Sequence, residues 1–429
     1  MDAIQIKKLL PMLMTALIWD INFRLTFKNM NGHMDLGCFP SLKYDPLVIL
    51  IKNISSSVIF LSLYYISKKF SSSDKGPDKL LSVKTQGSTI IYQYEIEKNA
   101  FLGSLLKYHN LYNKKKQILF CIKIFLLILF IYICEEIYFI IGNMHILDRL
   151  NVPMRNFSVL VIIFIFSSLL ITKKFNFYKH QLIPSIIVIG TSLFIILFNA
   201  FTVERFKKIF NINFLYYMIV YVLMGMELVL IKYLTDIQFI SPLIILFIKG
   251  VIGSIVFIFI NIYFNGDKLF YLIDKIMTFE YENMYEDFII VQKIFYIITT
   301  IIVQYLKVYI INENTESHFL SVAMISDVFF FPLYFIEKFG IQKFPITTSS
   351  TFYLNIIFGV MNTVLLLIFN EIIELKFCGI EKNLNKNIEK RENIEMDTVN
   401  YMYKNVDNDS ELDYDHSEKS SLSSTGYQI

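Results

Sequence analysis

Apolar residues in this chain gather into runs as long as a bilayer is thick, separated by short polar connections. A helix needs about 20 residues to cross the hydrocarbon core. Eight runs have about that length: Pro46 to Ser67, Ile118 to Ile141, Gln181 to Phe201, Asn213 to Tyr233, Ser241 to Phe264, Phe288 to Ile311, His318 to Ile336 and Ser350 to Glu371. Phe157 to Thr172 is shorter but uninterrupted, and its flanks extend it. Leu9 to Leu25 is broken by Asp20, Asn22 and Arg24. Behind Lys7-Lys8 that run also has the charged start and apolar middle of a signal peptide, yet no small-x-small cleavage site follows. It is read as a retained first span, which brings the expected number of spans to ten.

One pattern occurs twice. Asp45-Pro46-Leu47-Val48-Ile49-Leu50-Ile51-Lys52-Asn53-Ile54-Ser55-Ser56-Ser57 is echoed by Ser241-Pro242-Leu243-Ile244-Ile245-Leu246-Phe247-Ile248-Lys249-Gly250-Val251-Ile252-Gly253-Ser254. Each is a span with proline at its start and one lysine in its first half. A second echo joins Lys173-Lys174-Phe175-Asn176-Phe177, followed by a span containing Gly190, to Glu337-Lys338-Phe339-Gly340-Ile341, followed by a span containing Gly359. Two five-span halves follow from these echoes. Five is odd, so the second half must cross the membrane inverted relative to the first, as in transporters whose halves rock about a shared site. The expected fold is an all-α integral membrane protein of ten transmembrane helices in a 5+5 inverted repeat. Residues 1–201 form the first half, with a cytosolic loop at 68–117. Residues 202–375 form the second, and 376–429 are a disordered cytosolic tail.

Composition agrees with this class. The chain is 55% hydrophobic and 18% charged, against about 25% charged in soluble domains. Basic residues set the orientation. Lys68 to Lys116 carries ten lysines, and Lys7, Lys8, Lys173, Lys174, Lys179, Lys376, Lys382, Lys386, Lys390 and Arg391 fall on the same side when ten spans are counted. Positive residues remain cytoplasmic, so both termini are expected in the cytosol. The loop opens on Ser71-Ser72-Ser73-Asp74-Lys75-Gly76-Pro77 and reads as a flexible insertion with a short helix near Phe101; the tail is too polar to fold alone. Cys38, Cys121, Cys134 and Cys378 have neither disulfide nor zinc spacing, and no cofactor or metal is expected.

Charged residues inside spans are the natural site candidates, because an unpaired charge at the bilayer centre costs at least about 2.5 to 3.5 kcal/mol. Lys52 and Lys249, at matching positions of the repeated segment, are expected to project into one cavity and to bind a phosphate or carboxylate as point charges. Glu227 and Asp20 lie at similar depths before the two repeated segments and are expected to pair with those lysines or to bind a coupling proton. Glu135-Glu136 and Asp327 are further buried carboxylates, with Glu136 and Asp327 expected in ion pairs or proton coupling. Gly250 and Gly253 permit close helix packing.

Ten spans, cytosolic ends and the duplication resemble the drug/metabolite transporter superfamily, nearest to its nucleotide-sugar-transporter branch among uncharacterised protist and fungal members. Three stretches carry the resemblance: Leu169-Leu170-Ile171-Thr172-Lys173-Lys174 through His180-Gln181 to Gly190; Glu227 through Lys232-Tyr233-Leu234 to Ser241-Pro242 and Gly250 to Gly253; and Phe369-Asn370-Glu371-Ile372-Ile373-Glu374-Leu375 with Cys378-Gly379-Ile380-Glu381-Lys382-Asn383. The loop after the second span is longer than the superfamily's usual one, and the short motifs that nucleotide-sugar transporters use around base and sugar are absent. The resemblance implies a secondary transporter of a small organic solute, an anion such as a nucleotide sugar or sugar phosphate, working by alternating access. Cytosolic ends and the missing secretory cleavage site fit an endomembrane (Golgi, ER or vacuole), with the plasma membrane left open. The competing reading is a transport-inactive scaffold or trafficking protein docking through its loop and tail. A membrane enzyme is not expected, for no clustered His/Asp motif is present. The bilayer, a small solute and a second copy of the chain are the expected partners, and nucleic acid is not among them.

Overall fold

A computed structural model describes residues 3–31, 46–71, 80–86, 89–94, 114–144, 151–172, 179–202, 212–238, 240–265, 286–329 and 346–374. The chain divides into a unit Met1–Ile373 and a second unit Glu374–Ile429; the tail beyond residue 374 and the stretch around Phe101 lie outside the described residues. Among the described residues are ten α-helices: α1 (Ala3–Asn31), α2 (Pro46–Ser71), α3 (Lys114–Met144), α4 (Asn151–Ser167), α5 (Lys179–Thr202), α6 (Ile212–Asp236), α7 (Pro242–Asn265), α8 (Glu286–Glu313), α9 (Glu316–Phe329) and α10 (Ile346–Phe369). A π-helical turn, Ser168–Thr172, continues α4.

Six helices contain segments long and apolar enough to cross a membrane: α2, α3, α5, α6, α7 and α8. Shorter apolar stretches occupy α4 at Arg155–Leu170 and α10 at Ile357–Phe369. The outer surface is strongly apolar, with Leu119 72%, Phe259 68% and Ile357 62% exposed. Water penalises such a surface, whereas lipid matches it. Conversely, many serines and threonines are turned inward and return their hydroxyls to the helix backbone, as Ser57 does to Asn53 and Thr299 to Phe295. Such bonds satisfy a hydroxyl where no water is present. The architecture is consistent with a multi-pass integral membrane protein.

Local signals place the helix ends. Pro46 and Pro242 open α2 and α7, where the missing N–H is one the helix would leave unpaired anyway. Thr315 precedes α9 and bonds its hydroxyl to Ser317 Oγ at 2.6 Å and His318 Nδ1 at 2.8 Å. After α10, Glu371 takes a positive φ of 58° while the amides of Ile372 and Ile373 donate back to Leu367 O, a helix stop usually given to glycine.

Helix neighbours follow a regular scheme. α2 packs most extensively against α7, and α5 packs against α10. α3 and α4 both pack on α6, just as α8 and α9 both pack on α1; α4 also joins α5, as α9 joins α10. The insertion after α2 differs from the flexible loop expected there, because it contains an antiparallel hairpin of β1 (Leu80–Gln86) and β2 (Thr89–Tyr94). Gly87-Ser88 between the strands is a two-residue hairpin signal.

Candidate functional site

The two repeated segments are the two helices in closest embrace. A Cβ placed on Gly250 of α7 would lie 2.5 Å from Ser57 Oγ and 2.8 Å from Asn53 O, both on α2. One placed on Gly253 would lie 2.7 Å from the Tyr132 ring of α3 and 2.8 Å from Asn53 Nδ2. Only glycine lets these backbones approach so closely. This contact brings Lys52 and Lys249 into the interior, where each is 5% exposed.

Both lysines meet carboxylates of α3. Lys52 Nζ lies 3.2 Å from Glu136 Oε1, and Lys249 Nζ is paired with Glu135 Oε2. A third lysine, Lys307 of α8, lies 3.1 Å from Glu135 Oε1 and 2.5 Å from Glu227 Oε1 of α6. Glu135 therefore bridges Lys249 and Lys307, while Lys307 bridges Glu135 and Glu227. Five helices contribute to the cluster. Its three ammonium groups and three carboxylates cancel one another.

Mutual pairing is what makes such burial tolerable. At an effective dielectric near 20, unit charges 4 Å apart attract by about 4 kcal/mol, and removing one partner of a buried pair costs about 3 to 5 kcal/mol. Exposure within the cluster is uneven. The Glu135 and Glu136 side chains are 19% and 23% exposed, whereas Glu227 is 3% exposed. Aromatic groups complete the surroundings. The Phe319 ring centroid is 6.0 Å from Lys307 Nζ and 5.0 Å from that of Trp19.

The structure gathers Lys52, Lys249, Glu227 and Glu136 into one cluster, but with partners other than those the sequence suggested. Glu227 takes Lys307, and the two echo lysines take Glu136 and Glu135. Asp20 is buried on α1 and makes none of these four contacts. Asp327 lies on α9, and its side chain is outside the described residues. Sequence reasoning missed Lys307, which stands near the end of its apolar run. Its correspondence to Glu135 emerges only with the helix starts, since each stands 21 positions after the first residue of α3 and α8.

A second buried lysine centre lies at the α8–α9 corner. Lys232 of α6 donates to the carbonyls of Ile311 at 2.9 Å, Asn312 at 3.3 Å and Asn314 at 2.5 Å, and pairs with Asp236 at 3.0 Å. These carbonyls end α8, where the helix dipole is negative. Nearby, Asn370 accepts from Ser317 Oγ and donates to Ser317 O and Ser321 Oγ, tying α10 to α9.

Cys121 and Cys134 are free thiols, and Cys38 and Cys378 lie outside the described residues. Among the described residues no group of three or more His, Cys, Asp and Glu side chains could hold a metal ion. No protein-family model and no curated protein matches this chain, so its function must be argued from the geometry of the buried cluster.

Proposed function

We propose that this protein is a secondary transporter of the drug/metabolite transporter type, built as a 5+5 inverted repeat and carrying a small organic anion by alternating access. The observation that carries the proposal is the buried cluster of Lys52, Lys249, Lys307, Glu135, Glu136 and Glu227 where the two repeated helices meet. Six charges inside an apolar bundle are costly to maintain, and intramembrane charges of this kind mark solute paths. Each side chain can exchange one partner for another, so a carboxylate or phosphate of the solute can replace a glutamate on a lysine.

The packing scheme supports the duplicated architecture. Exchanging the two halves, so that first-half helix numbers rise by five and second-half numbers fall by five, turns the α3–α6, α4–α6 and α4–α5 contacts into α8–α1, α9–α1 and α9–α10. It leaves the α2–α7 and α5–α10 pairs unchanged. Lys52 and Lys249 are then equivalents, as are Glu135 and Lys307, which sit in contact across the pseudo-axis with opposite charges. That exchange of sign gives one site rather than two half-sites. The positive-inside distribution of lysines supports cytosolic termini.

Exchange in liposomes tests the proposal. Vesicles holding the purified protein and preloaded with nucleotide sugars, sugar phosphates or amino acids are expected to take up an anionic member. Lys249→Met and Lys307→Met should abolish uptake while the protein remains helical. A folded protein that exchanges none of the panel contradicts the proposal and favours a scaffold.

A further inference from the structure

The charge balance of the cluster has a consequence for what crosses with the solute. We propose that the anion moves together with one proton, and that Glu227 is the carboxylate that accepts it. This rests on the anion-transporter reading of the same site. Three lysines and three glutamates already neutralise one another. An anion entering alone would leave an uncompensated negative charge among apolar helices. A solute group bearing one negative charge and entering with a proton leaves the buried charge unchanged: the proton forms an O–H bond on a glutamate, and the anionic group takes that carboxylate's place on a lysine.

The contacts distinguish the three glutamates. Glu135 meets both Lys249 and Lys307. Glu136 pairs with Lys52 and is 23% exposed, so partial hydration adds to its support. Glu227 is 3% exposed and pairs with Lys307, a lysine it shares with Glu135. Of the groups packed around Glu227, α8 contributes Lys307, α7 contributes the charge of Lys249, and α3 contributes the opposing charge of Glu135 with the Cys134 thiol. α4 meets this turn of α6 with Val159 and Ile162 around Gly225, and α9 places the Phe319 ring near Lys307. Glu227 is thus the most buried of the three, and its lysine is one it shares with another carboxylate.

Protonation at Glu227 leaves Lys307 with Glu135, which Lys249 already shares. Two lysines then face one carboxylate, and the surplus positive charge receives the anion. Glu135 is 19% exposed and bonded to the same lysine as Glu227, which makes it the relay between the more exposed side of the cluster and the buried acceptor.

Calorimetry on the detergent-purified full chain, in two buffers of different ionisation heat, counts protons taken up per anion bound. The probes are inorganic phosphate, glucose 6-phosphate and uridine diphosphate glucose. Wild type is expected to take up about one proton per anion, so its affinity falls about tenfold for each rise of one pH unit where Glu227 is ionised in the free protein. Glu227→Gln, a mimic of the protonated state, is expected to bind at least as tightly, to take up no proton and to lose the pH dependence. Glu227→Asp should retain the proton. Infrared difference spectra should show a new protonated-carboxyl band on anion binding in wild type and none in Glu227→Gln. Binding without proton uptake, uptake that persists in Glu227→Gln, or binding of none of the three anions overturns the inference. If liposomes exchange a neutral solute while none of the anions binds, the inference falls and the transporter reading stands. If they exchange nothing, both fall.

Discussion

Two sets of buried lysines in one bundle are held in opposite ways. Lys232 is fastened by three backbone carbonyls and Asp236, one turn along its own helix. Carbonyls at a helix end cannot turn away without unwinding the helix, so this ammonium is a fixed cap. Lys52, Lys249 and Lys307 instead pair with the side chains of Glu135, Glu136 and Glu227, which are carried on other helices. Those pairs can be traded without breaking secondary structure. The same residue type therefore serves as a rivet at the α8–α9 corner and as an exchangeable charge in the cluster.

Lys232→Met should have the largest effect on stability. It strands Asp236 and three carbonyls without their cation, at a cost of about 3 to 5 kcal/mol, visible as a much lower unfolding temperature in detergent. Adding Asp236→Asn should recover only part of that loss, because the carbonyls remain. An unchanged unfolding temperature would erase the distinction between rivet and exchangeable charge.

Gly250→Val comes next. Its side chain would run into Ser57 Oγ and Asn53 O, and overpacking of this kind costs about 1 to 3 kcal/mol. Transport should be lost while circular dichroism still reports helices. Full transport by the valine variant would show that α2 and α7 need not meet closely.

Charge reversal separates the cluster from the cap more finely. Lys52→Glu should abolish transport, and Lys52→Glu with Glu136→Lys should restore a measurable part of it, since the pair involves two side chains alone. At Lys232 no such rescue is expected from Asp236→Lys, because backbone carbonyls cannot be exchanged. Equal rescue at both sites would contradict the account.

Asn370→Ala should cost about 1 to 3 kcal/mol, removing three hydrogen bonds to Ser317 and Ser321. Ser62→Ala is the control. Its hydroxyl bonds only to Val58 O on an exposed face, and a change within about 0.5 kcal/mol is expected.

The sequence already contained much of this arrangement. Ten runs became ten helices among the described residues, and the duplicated Pro-to-Lys pattern pointed to the helices that pack most closely. Lys52 and Lys249 could be found because a repeat marks equivalent positions. Pairing could not be read, because it depends on how five helices rotate about their axes. A lysine four residues from the end of its run, as Lys307 is from Ile311, has the same local sequence whether it snorkels outward or turns into the core. Lys232 was obscured for a different reason: its partners are the carbonyls of Ile311, Asn312 and Asn314, which bear no side-chain signature. The hairpin at Leu80 to Tyr94 was missed within a polar, lysine-bearing insertion whose serine-rich start read as flexible.

The most direct test of the account is solute exchange by the purified full chain in liposomes, with Lys307→Met beside wild type. The account predicts uptake of an anionic nucleotide sugar or sugar phosphate by wild type and none by the variant, with both proteins equally helical. Uptake that Lys307→Met leaves unchanged would contradict the claim that the buried cluster is the solute site.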